Sequence, residues 1–532
     1  MYRLSGGRRL ARQRASSDPT PVNPSNKEAQ ASAEVGEGRA QTGENIVRSH
    51  MPPTQSGTRM SQGLDGVRRA ASVRKQDRFT ALLHHLSVVL LRESFYALKR
   101  QASPGIDGRT WREYETGLED RLDDRHRRVH RGTYRARPSR RVYLPKADGQ
   151  QRPLGIAALE DKIVQQAVVT VLNQIYEADF KGFSYGFRPG LGPHQALDAL
   201  TVGLQRKRVN WIVDADMRGF FDHRSPEWTM QFLEHRGADR RMLRLIQKWL
   251  KAGVSEDGQW SETKVGTPQG AVVSPRLANV YRHDVFDRWV EVGRKKVARG
   301  DGIVVRYADD LVLGVQHRAD AERFLAEFRD RWQRFGLELH PDKTRRIEFG
   351  RFAVRNRKQR GEGKPETFTF LGLTHFCGSL TSSGAFNVGR LTAKKRMVAK
   401  LKGIKAELPY RKHHRTSEVG AGLRKVVQGY YQYHAVPGNP SQLRVFRRRV
   451  CRLWRSVLVR RRQRAQVGWD RLHPRFNRWI PQPTCSASLS GQALRRHSSS
   501  VRAVCVNAHA RICAGGGQRW SSLPRQLRTG RS

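Results

Sequence analysis

The sequence predicts an α+β core, and two observations carry that reading. Short apolar, β-branched runs stand at Trp211-Ile212-Val213, Ile303-Val304-Val305 and Leu311-Val312-Leu313, too brief for helices and of strand-like composition. Near them lies a longer stretch in which Ile163, Val164, Ala167, Val168, Val171, Leu172 and Ile175 recur at a helical period, as on the packed face of a helix. Strands and helices mixed in this way make an α+β core.

The remaining elements follow in chain order. With 532 residues the chain has room for two or three compact units. Residues 1–74 are rich in Ser, Gly, Pro, Gln and Arg with almost no aromatic side chain, a composition that buries too little surface to offset chain entropy. They are expected to form a disordered basic leader, without the apolar segment of a secretory signal. Order is expected from about Phe79, because Leu82, Leu83, Leu86, Val89 and Leu90 recur at helical spacing. Gly105-Ile106-Asp107-Gly108 then breaks the pattern as a turn.

In the last third, Leu423, Val426, Val427, Tyr430, Tyr431 and His434 form one apolar stripe, and Phe446, Val450, Leu453, Trp454, Val457 and Leu458 form another. Arg447, Arg448, Arg449, Arg452 and Arg455 occupy the other faces of the second stripe. Tyr430 and Tyr431 are read as core, and the arginines as a basic outer face. Residues 483–532 turn Ser/Gly/Arg-rich and are expected to be a low-complexity basic tail.

Lysine and arginine total 100 against 48 aspartate and glutamate, a formal net charge of +52. Such a charge repels itself unless a polyanion neutralises it, which points to nucleic acid. Five cysteines contain no C-x-x-C pair, so neither a zinc knuckle nor a disulfide framework is indicated, and a reducing compartment fits. No apolar run approaches the ~20 residues of a membrane span.

Chemistry concentrates in acidic residues at strand ends. Asp309-Asp310 lies between two β-type runs, so a tight hairpin presents a carboxylate at its tip. A second strand-like run leads into Asp214-Ala215-Asp216 and on to Asp222. Carboxylates from separate strands are what a two-Mg2+ centre requires, one ion activating a 3′ hydroxyl and the other stabilising the leaving pyrophosphate.

Six further stretches extend this pattern. They are Gly105-Ile106-Asp107-Gly108, Tyr143-Leu144-Pro145-Lys146-Ala147-Asp148-Gly149, Arg152-Pro153-Leu154-Gly155-Ile156, Ser184-Tyr185-Gly186-Phe187-Arg188-Pro189, Gly266-Thr267-Pro268-Gln269-Gly270 and Phe370-Leu371-Gly372. With Tyr307-Ala308-Asp309-Asp310, the chain from about Phe79 to Pro483 resembles the reverse transcriptases encoded by bacterial group II introns. The resemblance implies a right-hand polymerase: fingers and palm over 75–380, the palm carrying an antiparallel sheet, then a helical thumb and maturase region, domain X, over 385–482.

It also implies roles. Asp216, Asp309 and Asp310 are the expected metal ligands, with Asp214 and Asp222 as neighbours. Lys146 and Arg152 are expected to clamp a triphosphate, Phe221 to pack on the deoxyribose, Gln269 to lie near the nascent pair, and Lys343 to protonate departing pyrophosphate. Ala271, Arg276 and Arg282 depart from a stretch that is usually small or apolar in the family. Implied cofactors are Mg2+ as a two-ion site and deoxynucleoside triphosphates (dNTP). Implied partners are a group II intron RNA, which Arg447, Arg448, Arg449, Arg452 and Arg455 are expected to face, and a target DNA or primer, in the bacterial cytoplasm near the nucleoid, or in an organelle for a eukaryotic source. No endonuclease module is expected after Pro483. A splicing-only maturase and a domesticated or retron-like reverse transcriptase remain the alternatives.

Overall fold

The strand-forming runs pair into an antiparallel sheet at the centre of the chain, in a computed structural model that describes residues 55–145, 151–261, 269–296, 299–380, 383–461 and 468–484. The helices used below are α1 (Gln55–Val73), α2 (Val88–Ala97), α3 (Leu159–Asp179), α4 (Pro193–Arg206), α5 (Ser274–Arg282), α6 (Lys394–Tyr410), α7 (Thr416–His434), α8 (Pro440–Arg461) and α9 (Trp469–Trp479). The strands are β1 (Ser139–Pro145), β2 (Gln151–Ile156), β3 (Trp211–Ala215), β4 (Met217–Arg218), β5 (Val254–Glu256) and β6 (Gln259–Ser261), followed by β7 (Gly302–Tyr307), β8 (Asp310–Val315), β9 (Glu338–Leu339), β10 (Arg345–Glu348), β11 (Phe368–Phe370), β12 (Leu373–Ser379) and β13 (Phe386–Thr392).

The central sheet runs β10-β3-β8-β7 and every pair in it is antiparallel. Its strands read as continuous apolar runs because both faces are covered. Val213, Val304, Leu311 and Leu313 point into one core, shared with the α3 stripe. Ile212, Ile303, Val305 and Val312 point into a second core, shared with Ala196, Leu197, Leu200 and Leu204 of α4. This is the two-residue alternation of a pleated strand. A mixed sheet, β2-β1-β5-β6, carries the segments around Arg152, and β11-β12-β13 forms a third sheet against the second core.

A separate apolar cluster joins α6, α7, α8 and α9, and Tyr430 and Tyr431 belong to it. Tyr430 stacks on Phe446 with ring centroids 3.6 Å apart. Among the described residues no helix is long and apolar enough to cross a membrane.

Three expectations need correction. The leader is helical over its last part: α1 buries Leu64 and Ala71 and packs Val67 against the main core beside α3. Spacing of three and four residues gives even this polar segment one apolar stripe. The helix expected from Phe79 starts only at Val88, capped by Ser87 and preceded by a short 3₁₀ turn, Leu83–His85. The boundary near 385 also falls in the wrong place, because β13 completes the sheet with β12 and belongs to the preceding unit. The rest of the leader (1–54) and nearly all of the tail (485–532) lie outside the described residues.

Candidate active site

The hairpin of β7 and β8 closes on the pair Tyr307–Asp310, leaving Ala308 and Asp309 as its two-residue turn. Ala308 sits at φ +53°, in the left-handed region that a non-glycine residue adopts at a cost of roughly 1–2 kcal/mol. The surroundings enforce it. Gly186 lies so close that a Cβ there would stand 2.3 Å from the Ala308 nitrogen, and Asn279 Nδ2 donates to the Gly186 carbonyl at 2.8 Å.

Next to the turn, the Arg306 N–H donates to the Phe183 carbonyl and the Tyr185 N–H donates to the Arg306 carbonyl. The Arg306 guanidinium is fully buried and donates to Ser184 Oγ at 2.6 Å and to Asp287 at 2.6 and 2.8 Å. The Ser184–Pro189 segment is thus a cradle for the hairpin. Its glycine is required by close approach.

Of the four carboxylates Asp214, Asp216, Asp309 and Asp310, three have a cation of their own. Asp216 follows the end of β3 and accepts from Lys343 Nζ at 2.8 Å. Its carbonyl is held by the His340 N–H at 2.9 Å. Asp214, opposite Arg345 in the sheet, has that guanidinium 3.7 Å away, and burial raises its carboxyl to about 6. Asp309 is ion-paired with Arg282, which is wholly buried. Burial lowers the Arg282 guanidinium to about 10, which leaves it charged at neutral pH.

Among the described residues Asp310 has no such ion-pair partner; it is reached by solvent yet crowded by protein. That crowding, and then the charges of Asp216, Asp309 and Asp214, push it up to about 7, with Arg396 opposing the shift. Among the described residues no three His, Cys, Asp or Glu side chains converge as a ready cage for a metal ion. The physical reason is visible in the pairs just named, which turn Asp216 and Asp309 toward cations.

The other expected residues divide. Phe221 is half-buried against Phe220, edge to face at 5.5 Å, and Phe220 takes the place in the core. Gln269 offers its carbonyl to the Gly155 N–H at 2.6 Å. Gly270, at φ +112°, passes so near that a Cβ would lie 2.9 Å from the Gly155 oxygen. This contact sets Gln269-Gly270 against β2, the strand that carries Arg152. Lys146, with Gly266-Thr267-Pro268, lies outside the described residues.

Among the expected RNA-facing arginines, Arg448, Arg449 and Arg452 are exposed. Arg447 is not free for RNA as expected: its guanidinium donates to the Ile480 and Pro481 carbonyls and to Asn477. Arg455 lies over the Trp469 ring at 5.3 Å.

Three contributions escaped the sequence reading. The Arg306–Asp287 pair and Asn279 support the hairpin from beneath, and Arg396, at the start of α6, is the cation felt by Asp310. Tyr433 of α7 donates to the Leu371 carbonyl at 2.9 Å, fixing the Phe370-Leu371-Gly372 turn beside the site. Arg282 and Arg276 carried a signal, since both are charged residues in an otherwise apolar helix. Both are buried, Arg276 pairing with Glu177 at 2.7 Å over the Phe180 ring.

Comparison with known proteins agrees with this geometry. The family model for reverse transcriptase (RNA-dependent DNA polymerase) matches residues 144–375, which include Asp216, the hairpin and its cradle. Protein YkfC of Escherichia coli (strain K12) is 32% identical over 297 residues, covering 49% of this chain and 78% of that protein. Group II intron-encoded protein LtrA of Lactococcus lactis subsp. cremoris is 40% identical over 160 residues, 30% of this chain and 26% of LtrA. Nuclear intron maturase 1, mitochondrial, of Arabidopsis thaliana is 30% identical over 92 residues, 17% of this chain and 13% of that protein. The match therefore spans most of the Escherichia coli relative and only about a quarter of LtrA. On the family match and these relatives, the chain belongs to the reverse transcriptase (RNA-dependent DNA polymerase) family, in the branch encoded by group II introns.

Proposed function

We propose that the chain copies its parent intron RNA into DNA, with Asp216, Asp309 and Asp310 as the ligands of two Mg2+ ions and dNTP as substrate. The observation that carries the reading is the tight β7–β8 turn, which sets Asp309 and Asp310 close enough to Asp216 and Asp214 for all four charges to be felt together. An oxygen-only donor set with excess negative charge suits a hard divalent cation. When bound, the ions activate the primer hydroxyl and neutralise the departing pyrophosphate.

The protein groups have their own tasks in this reading. Arg152 on β2, with Lys146, neutralises the incoming triphosphate. Phe221 offers a ring face to the deoxyribose, and Gln269 approaches the template pair through a turn already pressed on β2. Lys343, whose Nζ stands 2.8 Å from Asp216, is placed to give a proton to the leaving group. The sheet β2-β1-β5-β6 corresponds to fingers, the central sheet to a palm, and α6 to α9 to a thumb and maturase region. The exposed Arg448, Arg449 and Arg452 of α8 then face the phosphates of the intron RNA. We place this activity in the cytoplasm of a bacterium, where template and target DNA meet.

Primer extension on an RNA template tests the assignment. Asp309→Ala combined with Asp310→Ala is expected to abolish synthesis, and retained synthesis sinks the catalytic reading. One observation favours a splicing-only maturase with an idle polymerase site: Arg282 occupies Asp309. Splicing without any synthesis by the wild-type chain identifies that case, whereas splicing retained in the double variant shows two separable activities.

A further inference from the structure

Lys343 and Arg282 both hold a carboxylate of the site, but they are not equivalent. The Lys343 side chain is 61% exposed and swings into water at little cost, whereas the Arg282 side chain is 0% exposed. Arg282 closes α5 beneath the hairpin, with its guanidinium carbon 3.7 Å from the centroid of the Phe220 ring. Its Nε and Nη1 are buried without a hydrogen-bond partner, so the pair with Asp309 through Nη2 is the polar contact that satisfies it.

Among the described residues, a second carboxylate whose charge reaches Arg282 is Asp287. The guanidiniums of Arg224 and Arg306 are fully buried as well, and Asp287 is already engaged by Arg306. If Asp309 turns to a metal ion, Arg282 keeps its charge in a place that water does not reach. Leaving one partner of such a pair unmatched is strongly unfavourable.

We propose that Arg282 is a positioning residue that holds the Asp309 carboxylate and competes with the divalent ion for it, so that this chain binds its ion more weakly than the same centre without the arginine. The proposal rests on Asp309 being a metal ligand. Each of three acidic strand ends has a cation beside it. Lys343 serves Asp216, Arg345 serves Asp214 and Arg282 serves Asp309, but only the last is unable to withdraw to solvent.

The test measures Mn2+ binding to the full chain by electron paramagnetic resonance, for wild type, Arg282→Leu, Asp309→Asn, Asp310→Asn and the Arg282→Leu/Asp309→Asn double variant. Folding is followed by circular dichroism melts. Arg282→Leu is expected to tighten Mn2+ by on the order of tenfold, the scale of one charge-assisted contact. It should also lower the Mg2+ concentration for half-maximal primer extension. Asp309→Asn should weaken binding more in the Arg282→Leu background than in the wild type, because only there is Asp309 free for the ion.

Equal Mn2+ affinity in wild type and Arg282→Leu, with binding lost in Asp310→Asn, overturns the competition and leaves the metal centre standing. No Mn2+ binding by wild type or Arg282→Leu overturns both. Arg282→Met is the second variant if the leucine does not fold. Should neither fold, Arg282 is a fold element alone and the proposal is refuted.

Discussion

Replacing Gly186 by alanine probes the link between the cradle and the chemistry. The new Cβ would stand 2.3 Å from the Ala308 nitrogen and 3.0 Å from its Cα, where ordinary contact begins at 3.4 Å. Neither neighbour is the flexible end of a side chain, so the clash is relieved only by moving the hairpin roughly 1 Å. On the Gly186 side, the carbonyl is held by Asn279 and the chain nearby by the Arg306 backbone. The turn that carries Asp309 is therefore what gives way. Displacement of about 1 Å at a reacting centre costs on the order of 10²-fold in rate, and the overpacking itself about 1–3 kcal/mol in stability. Single-turnover primer extension on an RNA template measures the first and a thermal melt the second. Gly429→Ala is the control: it is exposed in the middle of α7 with nothing within 4 Å, and should gain about 0.5–1 kcal/mol with activity unchanged. A Gly186→Ala enzyme that folds and extends primers within threefold of wild type refutes the idea that the cradle sets the hairpin.

Three other outcomes are expected. Arg306→Met leaves Asp287 buried and unpaired, and should lower stability in denaturant titration by about 3–5 kcal/mol. Leu64→Ala, on the helix that the composition concealed, should cost about 2–4 kcal/mol if α1 is part of the folded core, and nothing in a truly disordered leader. Burial, aided by Arg390, lowers the His375 imidazole to about 3 from its ordinary 6.5. The unfolded chain therefore binds this proton first, and the stability contributed by the neutral ring is present above pH 6.5 and lost as the pH falls toward 3. His375→Phe, which keeps the stacking on Phe368, should make the fall in melting temperature between pH 6.5 and 4 shallower, since each unit in that window carries ~1.4 kcal/mol for such a group. An unchanged slope counts against a neutral, buried His375.

Local pattern was a good guide wherever one stretch of chain contains its own physics. The β-branched runs at 211–213, 303–305 and 311–313 lie in β3, β7 and β8, and the Ile163–Ile175 stripe lies in α3. Tyr430 and Tyr431, placed in the core by their stripe, are buried. Pattern failed where polar composition hid a short stripe, as in α1, and where an arginine on a polar face met the chain's own carbonyls, as Arg447 does.

By itself the sequence pointed to the central strands and helices and to the candidate side chains for the chemistry, because period, turn residues and acidic strand ends are properties of neighbours along the chain. Tertiary structure alone decided the pairing of those groups. Lys343 meets Asp216 across 127 residues, and Arg282 meets Asp309 across 27. Only the packing of α5 under the hairpin takes one cation wholly out of water and leaves the other in it. In the proposed reading, that difference in burial makes one ion pair exchangeable and the other a constraint on the Asp309 carboxylate.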